Sequence, residues 1–264
     1  MDNLHRELAP VSDAAWAQIE EEAARTLKRH LAARRVVDVN GPEGYGFSAT
    51  GTGRVHEVDP PGEGVLARQR GILPLVELRV PFTLDRQEID DVERGAQDSN
   101  WQPVKDAARQ IAFAEDRAIV DGYPAAGIGG IRPGASNEQL NLPDEVREYP
   151  AAFAHALGTL REAGVEGPYS VLLSAEAYVA VSETSDHGYP VFEHIKRIVN
   201  GDIVWAPAIA GAVVLTTRGG DFSLQLGQDA SIGYLSHTLT EVELYLQETL
   251  TFAMLTSEAA VSLR

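Results

Sequence analysis

The sequence predicts an α+β fold with one projecting arm. Three observations lead there. Apolar residues recur at three- and four-residue steps in two long segments before Gly122. Between these segments a glycine-rich stretch carries short alternating runs, the pattern of paired strands. Beyond Phe153 helix and strand patterns alternate, and strand candidates crowd together from Ile203 onward. The chain has 264 residues, 44% hydrophobic and 23% charged, which leaves ample material for a large core.

After a short extended lead, Leu8-Ala9-Pro10-Val11, Ser12 is placed to cap a helix. Trp16, Ile19, Ala23, Leu27 and Leu31 share one face, and Glu20, Glu21, Arg25 and Lys28 share the other. The spacing predicts an amphipathic surface helix of about twenty residues. Residues 41–64 hold seven glycines and three prolines, a density that resists compact packing. Arg54–Val58 and Val65–Gln69 are strand candidates joined through the turn cluster Asp59-Pro60-Pro61-Gly62. From Leu75 to Phe82, Val76, Leu78, Val80 and Phe82 alternate with Glu77 and Arg79. The whole stretch is expected to be one long hairpin arm. An isolated hairpin is marginal in water, so the arm should lie against another subunit.

A helix should start at Asp85, with Glu88 completing a capping box, and stop at Gly95. A second opens with Pro103 in its first turn and puts Val104, Ala107, Ile111, Ala114 and Ala118 on one face. That small-residue face marks a buried spine helix ending near Gly122. Further on, Phe153, Leu157 and Leu160 mark a helix, Tyr169–Leu173 a strand, Glu176–Val181 and Val191–Val199 two more helices. Strands are expected at Ile203–Trp205, Val213–Thr217, Phe222–Leu226, Ser231–Tyr234 and Glu241–Gln247.

Composition narrows the function. Lys+Arg number 22 and Asp+Glu 39, a net charge of −17 that repels nucleic acid and anionic lipid. Zero cysteines exclude disulfides, thiolate zinc sites and a cysteine nucleophile. The stretch Met1 to Glu7 holds acids where an export leader is basic, and no apolar segment follows, so no targeting leader and no membrane span are expected.

No catalytic constellation is legible. Asp186-His187 with Ser182 lacks the Gly-x-Ser-x-Gly elbow of a hydrolase and reads as an exposed loop. The histidines form no H-x-x-x-H pair, and no Glu-x-x-His motif suggests a di-iron site. Glu115-Asp116 and Asp90-Asp91 are expected to be solvated charges or interface contacts. Gly127-Ile128-Gly129-Gly130 follows a helix rather than a strand, so it reads as a joint, not a dinucleotide loop.

One resemblance runs from Leu4 to Val261. The segment from Thr216 through Arg218-Gly219-Gly220-Asp221 to Ile232-Gly233-Tyr234 resembles the C-terminal signature of the encapsulins. So do Glu88-Ile89-Asp90-Asp91-Val92-Glu93-Arg94-Gly95, Gly167-Pro168-Tyr169-Ser170-Val171-Leu172-Leu173 and Leu246-Gln247-Glu248-Thr249-Leu250-Thr251-Phe252. The resemblance is to single-component (family 1, linocin- or bacteriocin-type) bacterial shells often encoded beside a dye-decolorizing peroxidase. It implies the fold of tailed-phage major capsid proteins. Residues 1–48 would hold the N-terminal helix and the start of the peripheral (P) domain. Residues 49–81 would be the E-loop, 82–130 the spine, 131–217 the axial (A) domain, and 218–264 the C-terminal P-domain strands.

The implied function is a non-enzymatic shell subunit in the cytoplasm, assembling into an icosahedral 60-mer around a cargo enzyme. The expected cargo is a dye-decolorizing peroxidase or ferritin-like protein, recruited by a short tail rich in Gly, Leu, Ile and Ser. In this family the tail docks beside the N-terminal helix. Carried over, Leu27, Leu31, Val36, Ile232 and Tyr234 would form apolar pockets, with Arg34 and Asp38 as polar anchors. The loop Ser185-Asp186-His187-Gly188-Tyr189 would line a fivefold pore admitting small substrates. Some relatives bind flavin near the helix that begins here at Asp85; Gln87 replaces their stacking aromatic residue, so no cofactor is expected. A phage major capsid protein would share the fold but commonly carries an N-terminal scaffolding segment. A secreted bacteriocin or hydrolase would need a leader or a catalytic site.

Overall fold

Ser12 starts the first helix, its Oγ accepting the Ala15 amide at 3.2 Å. In the computed structural model, which describes residues 3–264, this helix is α1 (Asp13–His30). Met1 and Asp2, part of the expected leaderless start, lie outside the described residues. Asp13 in the first turn and Lys28, Arg29 and His30 in the last complement the helix dipole. Trp16, Ile19 and Ala23 are buried, as their spacing predicts.

A short β1 (Asp38–Asn40) leads to β2 (Ala49–Val58) and β3 (Ala67–Pro74), which pair antiparallel with each other alone. Their register is interrupted between Gly51 and Val55. These two strands are the arm. The hairpin expected over the whole of residues 41–82 is corrected by β4 (Val76–Asp85). It pairs antiparallel with the long strand Glu241–Met254, from Val76 opposite Leu250 to Asp85 opposite Glu241. The reason is its period of two: Leu78, Val80, Phe82 and Leu84 face one core, a pattern that a solvated arm would not need.

α2 (Arg86–Glu93) is capped by Asp85, whose carboxylate accepts the Gln87 amide at 2.8 Å. The expected capping box is only half made, because Glu88 accepts the Asn100 amide instead at 2.9 Å. α3 (Gln102–Val120) is the spine, burying Val104, Ala107, Ile111 and Ala118 against α1 and β4. After it the chain turns at Gly122 and Gly130, both at positive φ, where a Cβ on Gly130 would collide with the Gly122 backbone. Close backbone approach, not a nucleotide, explains these glycines.

The remaining elements are α4 (Ile131–Gly134), α5 (Tyr149–Glu162), β5 (Tyr169–Leu173), α6 (Ala175–Glu183), β6 (Ser185–Asp186), β7 (Tyr189–Pro190) and α7 (Val191–Val199). Then come β8 (Ile203–Trp205), β9 (Ala212–Thr216), β10 (Phe222–Leu226), β11 (Ser231–His237), β12 (Glu241–Met254) and β13 (Ala260–Leu263). One sheet has the order β1-β10-β12-β11, with β4 on the other side of β12. The second has the order β13-β9-β5-β8. Every residue of β5 and β9 is buried, because α5 and α7 cover one face and the first sheet's core reaches the other.

Two corrections concern the C-terminus. β12 extends to Met254, well past Gln247, and a strand not expected from the sequence, β13, pairs with β9. A third concerns α3: Glu115 and Asp116, expected as solvated charges or interface contacts, are 0% and 1% exposed within the subunit. Charged residues stay there because other groups answer them, as described next.

Candidate functional site

The chain's lead, α1 and the edge of the first sheet enclose a groove of about 280 Å³. The Tyr234 amide donates to the Leu4 carbonyl at 2.8 Å, and the Tyr245 hydroxyl donates to the Asn3 carbonyl at 3.1 Å. These bonds lay the lead along β11. Its apolar walls are Leu4, Ala23, Leu27, Ile232 and Leu246. At the rim Arg6 pairs with Glu20 at 2.5 Å and stacks over Trp16 at 4.1 Å.

Of the expected docking residues, the groove brings together Leu27 and Ile232. Leu31 ends α1, half-buried beyond the lining. Tyr234 is half-buried, its hydroxyl 2.6 Å from His237 Nδ1. Val36 lies in the core between the sheets, and Asp38 accepts the Gly220 amide at 2.6 Å. Leu4, Ala23 and Leu246 were not anticipated as lining; Ala23 sits on the predicted apolar stripe, whereas Leu4 reaches the groove only through its backbone bonds to β11.

Arg34 sits behind the groove. Its guanidinium meets the Glu115 carboxylate through Nε at 2.8 Å and Nη2 at 2.6 Å, Asp229 through Nη1 at 2.7 Å, and Glu248 through Nη2 at 3.1 Å. Burial works to lower its pKa, but the hydrogen bonds and charge of Glu115, then Asp229, outweigh that and raise it. Burial, reinforced by Glu115, pushes Glu248 well above the usual carboxylate range, with Arg34 pulling the other way. Asp116 accepts the Ala32 and Ala33 amides at 3.1 and 2.9 Å, yet burial holds it at about 7.

β6 and β7 form a tight hairpin with His187 and Gly188 at its tip. Both tip residues have positive φ, 46° and 83°, as a two-residue turn requires. The His187 side chain is 97% exposed, with Nε2 3.8 Å from Asp186. Tyr189 packs edge-on to His194 and under Arg197. The Ser182 hydroxyl donates to the Tyr178 carbonyl at 2.7 Å and stays on α6, so no triad assembles from these residues. Among the described residues no group of three His, Cys, Asp or Glu is placed to hold a metal ion, and no helix is long and apolar enough to cross a membrane. Gln87 is exposed in the first turn of α2. An amide there supplies no ring for stacking, so this position does not fit a flavin.

Known proteins resemble this chain over its length. A family model described as Linocin_M18, encapsulating protein for peroxidase, matches residues 1–251. The type 1 encapsulin shell protein of Mycobacterium tuberculosis is 63% identical over 263 residues, covering 100% of this chain and 99% of that protein. The virus-like particle of Pyrococcus furiosus superposes with a TM-score of 0.69 at 15% identity, over 94% of this chain and 98% of that one. The mature capsid of bacteriophage PhiM1 superposes at 0.50 with 11% identity, over 88% and 86%. The fold is therefore the phage-capsid fold.

Proposed function

The chain belongs to the Linocin_M18 family of encapsulating proteins, the type 1 encapsulin shell proteins, and from that premise we propose how its shell is filled and supplied. The subunits build a capsid-like shell. Sixty copies enclose a peroxidase in the cytoplasm, the cargo class that the family's description mentions. The groove beside α1 faces the lumen and takes the cargo's short aliphatic tail.

The observation that carries this reading is the groove itself: an apolar slot between Leu27 and Ile232 with a charged rim. Burying two aliphatic side chains there contributes roughly 1.5–3 kcal/mol each before ordering costs. Such a site is weak alone and effective when repeated around a closed shell. The β6–β7 hairpin admits small substrates where five copies meet, with Asp186 giving the opening a negative lining.

Co-expression with a fluorescent protein bearing a Gly/Leu/Ile/Ser tail tests the docking. Leu27→Asp puts an unpaired charge into the slot, at a cost of several kcal/mol. Shells should form with their normal size and come out empty. Undiminished co-purification of the reporter would place docking elsewhere.

A further inference from the structure

Behind the groove, buried acids outnumber the cations that answer them. Glu115 on α3 and Glu248 on β12 are both fully buried and converge on one guanidinium, Arg34. Arg34 also serves Asp229, in the segment before β11. Asp116, next along α3, faces the amides of Ala32 and Ala33. β4 sets Leu78 opposite Glu248 and brings no charge there. One Glu248 oxygen, Oε2, accepts from Arg34; the other, Oε1, is buried without a hydrogen-bond partner among the described residues. A fully ionised Glu248 would leave a bare anionic oxygen in the core beside a second carboxylate, which burial penalises heavily.

The same residues anchor the groove. Arg34 lies in the turn that follows α1, one turn beyond Leu31. Asp229 Oδ1 accepts the Ala230 amide at 2.8 Å, and the Asp229 carbonyl accepts the Ser231 hydroxyl at 2.7 Å; Ala230 and Ser231 line the groove. Glu248 follows the lining residue Leu246 by two positions on the same strand.

We propose that Glu248 holds a proton beside Glu115 and against Arg34, and that losing it as pH rises loosens the 32–36 and 229–231 segments and opens the cargo groove. The device rests on the docking reading only for its consequence, not for its chemistry. Its direction follows from the raised Glu248 pKa, caused first by burial and then by Glu115. A group raised on folding stabilises the fold below its unfolded value, and that stabilisation is lost as pH climbs through the folded value. Asp116, held at about 7, acts with the same sign and ionises in the same direction.

Three measurements on assembled shells test this. The infrared spectrum at neutral pH should show a protonated carboxyl band, part of which Glu248→Gln removes, the remainder belonging to Asp116. In empty shells, hydrogen exchange of segments 29–37 and 228–234, corrected for intrinsic rates, should quicken about tenfold between about pH 6 and pH 9. Glu248→Gln should flatten that rise. In shells filled with the tailed fluorescent reporter, its anisotropy should fall over the same range for the wild type and hold steady for the variant. If wild-type shells show no protonated carboxyl band, or if wild type and variant exchange identically with pH, the proposal is overturned. The infrared arm stands on wild-type protein even if Glu248→Gln fails to assemble. Failure of docking alone would read differently: exchange would still respond to pH, while Leu27→Asp shells kept their cargo.

Discussion

Tyr245 lies across Gly233 on the neighbouring strand, so that a Cβ at Gly233 would strike the phenol ring. The ring is also covered by the Arg79 guanidinium at 4.1 Å, and its hydroxyl ties down Asn3. An aromatic ring laid over a strand glycine replaces the side chain that glycine lacks. Gly233→Ala should therefore displace the ring, loosen the lead and lower shell stability by about 1–3 kcal/mol per subunit, as overpacking does elsewhere. Thermal denaturation of assembled shells measures it; an unchanged midpoint would show that the ring moves freely. At this scale the sequence was only partly legible. Leu27 and Ile232 were expected together and meet in the groove. Arg34 and Glu115 were expected apart, one as an anchor and one as a solvated charge or interface contact, because a stripe of charges on a helix carries no mark of a partner arriving from residues 229 and 248.

Among the elements, α1, α3, β5, α7, β8 and β10 follow their local patterns closely. Each is written in its own period, with a cap or glycine at an end. β12 is different. Its second half reads Glu248-Thr249-Leu250-Thr251-Phe252, and residues 248–252 are nonetheless buried. A strand with polar residues on a buried face is legible only once their partners are known. The arm presents Val55, Val65, Leu66 and Ile72 to solvent, with Leu66 97% exposed. Apolar residues on a two-stranded hairpin call for a cover that this subunit does not supply. Replacing residues 53–70 by a short turn should give a soluble subunit that fails to close uniform shells, seen by size-exclusion and electron microscopy. Particles of normal size would remove the arm from assembly. The β6–β7 hairpin carries its own test. Asp186→Asn should slow entry of a small cationic probe into intact shells several-fold at low salt and leave a neutral probe of equal size unchanged. Equal slowing of both would mark a steric change instead.

For the whole molecule, charge sets the conditions of assembly. Each subunit carries −17, so subunits repel at long range and meet through apolar and hydrogen-bonded contacts at short range. Screening shortens that repulsion to about 8 Å at physiological ionic strength. Shells dissociated and returned to neutral buffer should therefore reassemble faster as salt rises from a low value toward the physiological one. Light scattering follows this directly, and slower assembly with added salt would show that cross-subunit ion pairs dominate instead.

Residue order alone determined the class of fold, the arm's existence, the buried spine helix and, through several long motifs in sequence, the encapsulin family. These are local or collinear signals: periodicity, caps, glycine density and motif order are all read within one stretch of chain. Tertiary structure decided that β4 leaves the arm for the body, that β13 crosses to the second sheet, and that three carboxylates gather around Arg34. Each depends on pairing between residues far apart in the chain, from 45 positions for Ala260–Leu215 to 214 for Arg34–Glu248. Strand alternation states which face is buried but not which strand lies beside it. A charged side chain likewise says nothing of the counter-charge that the fold will bring to it.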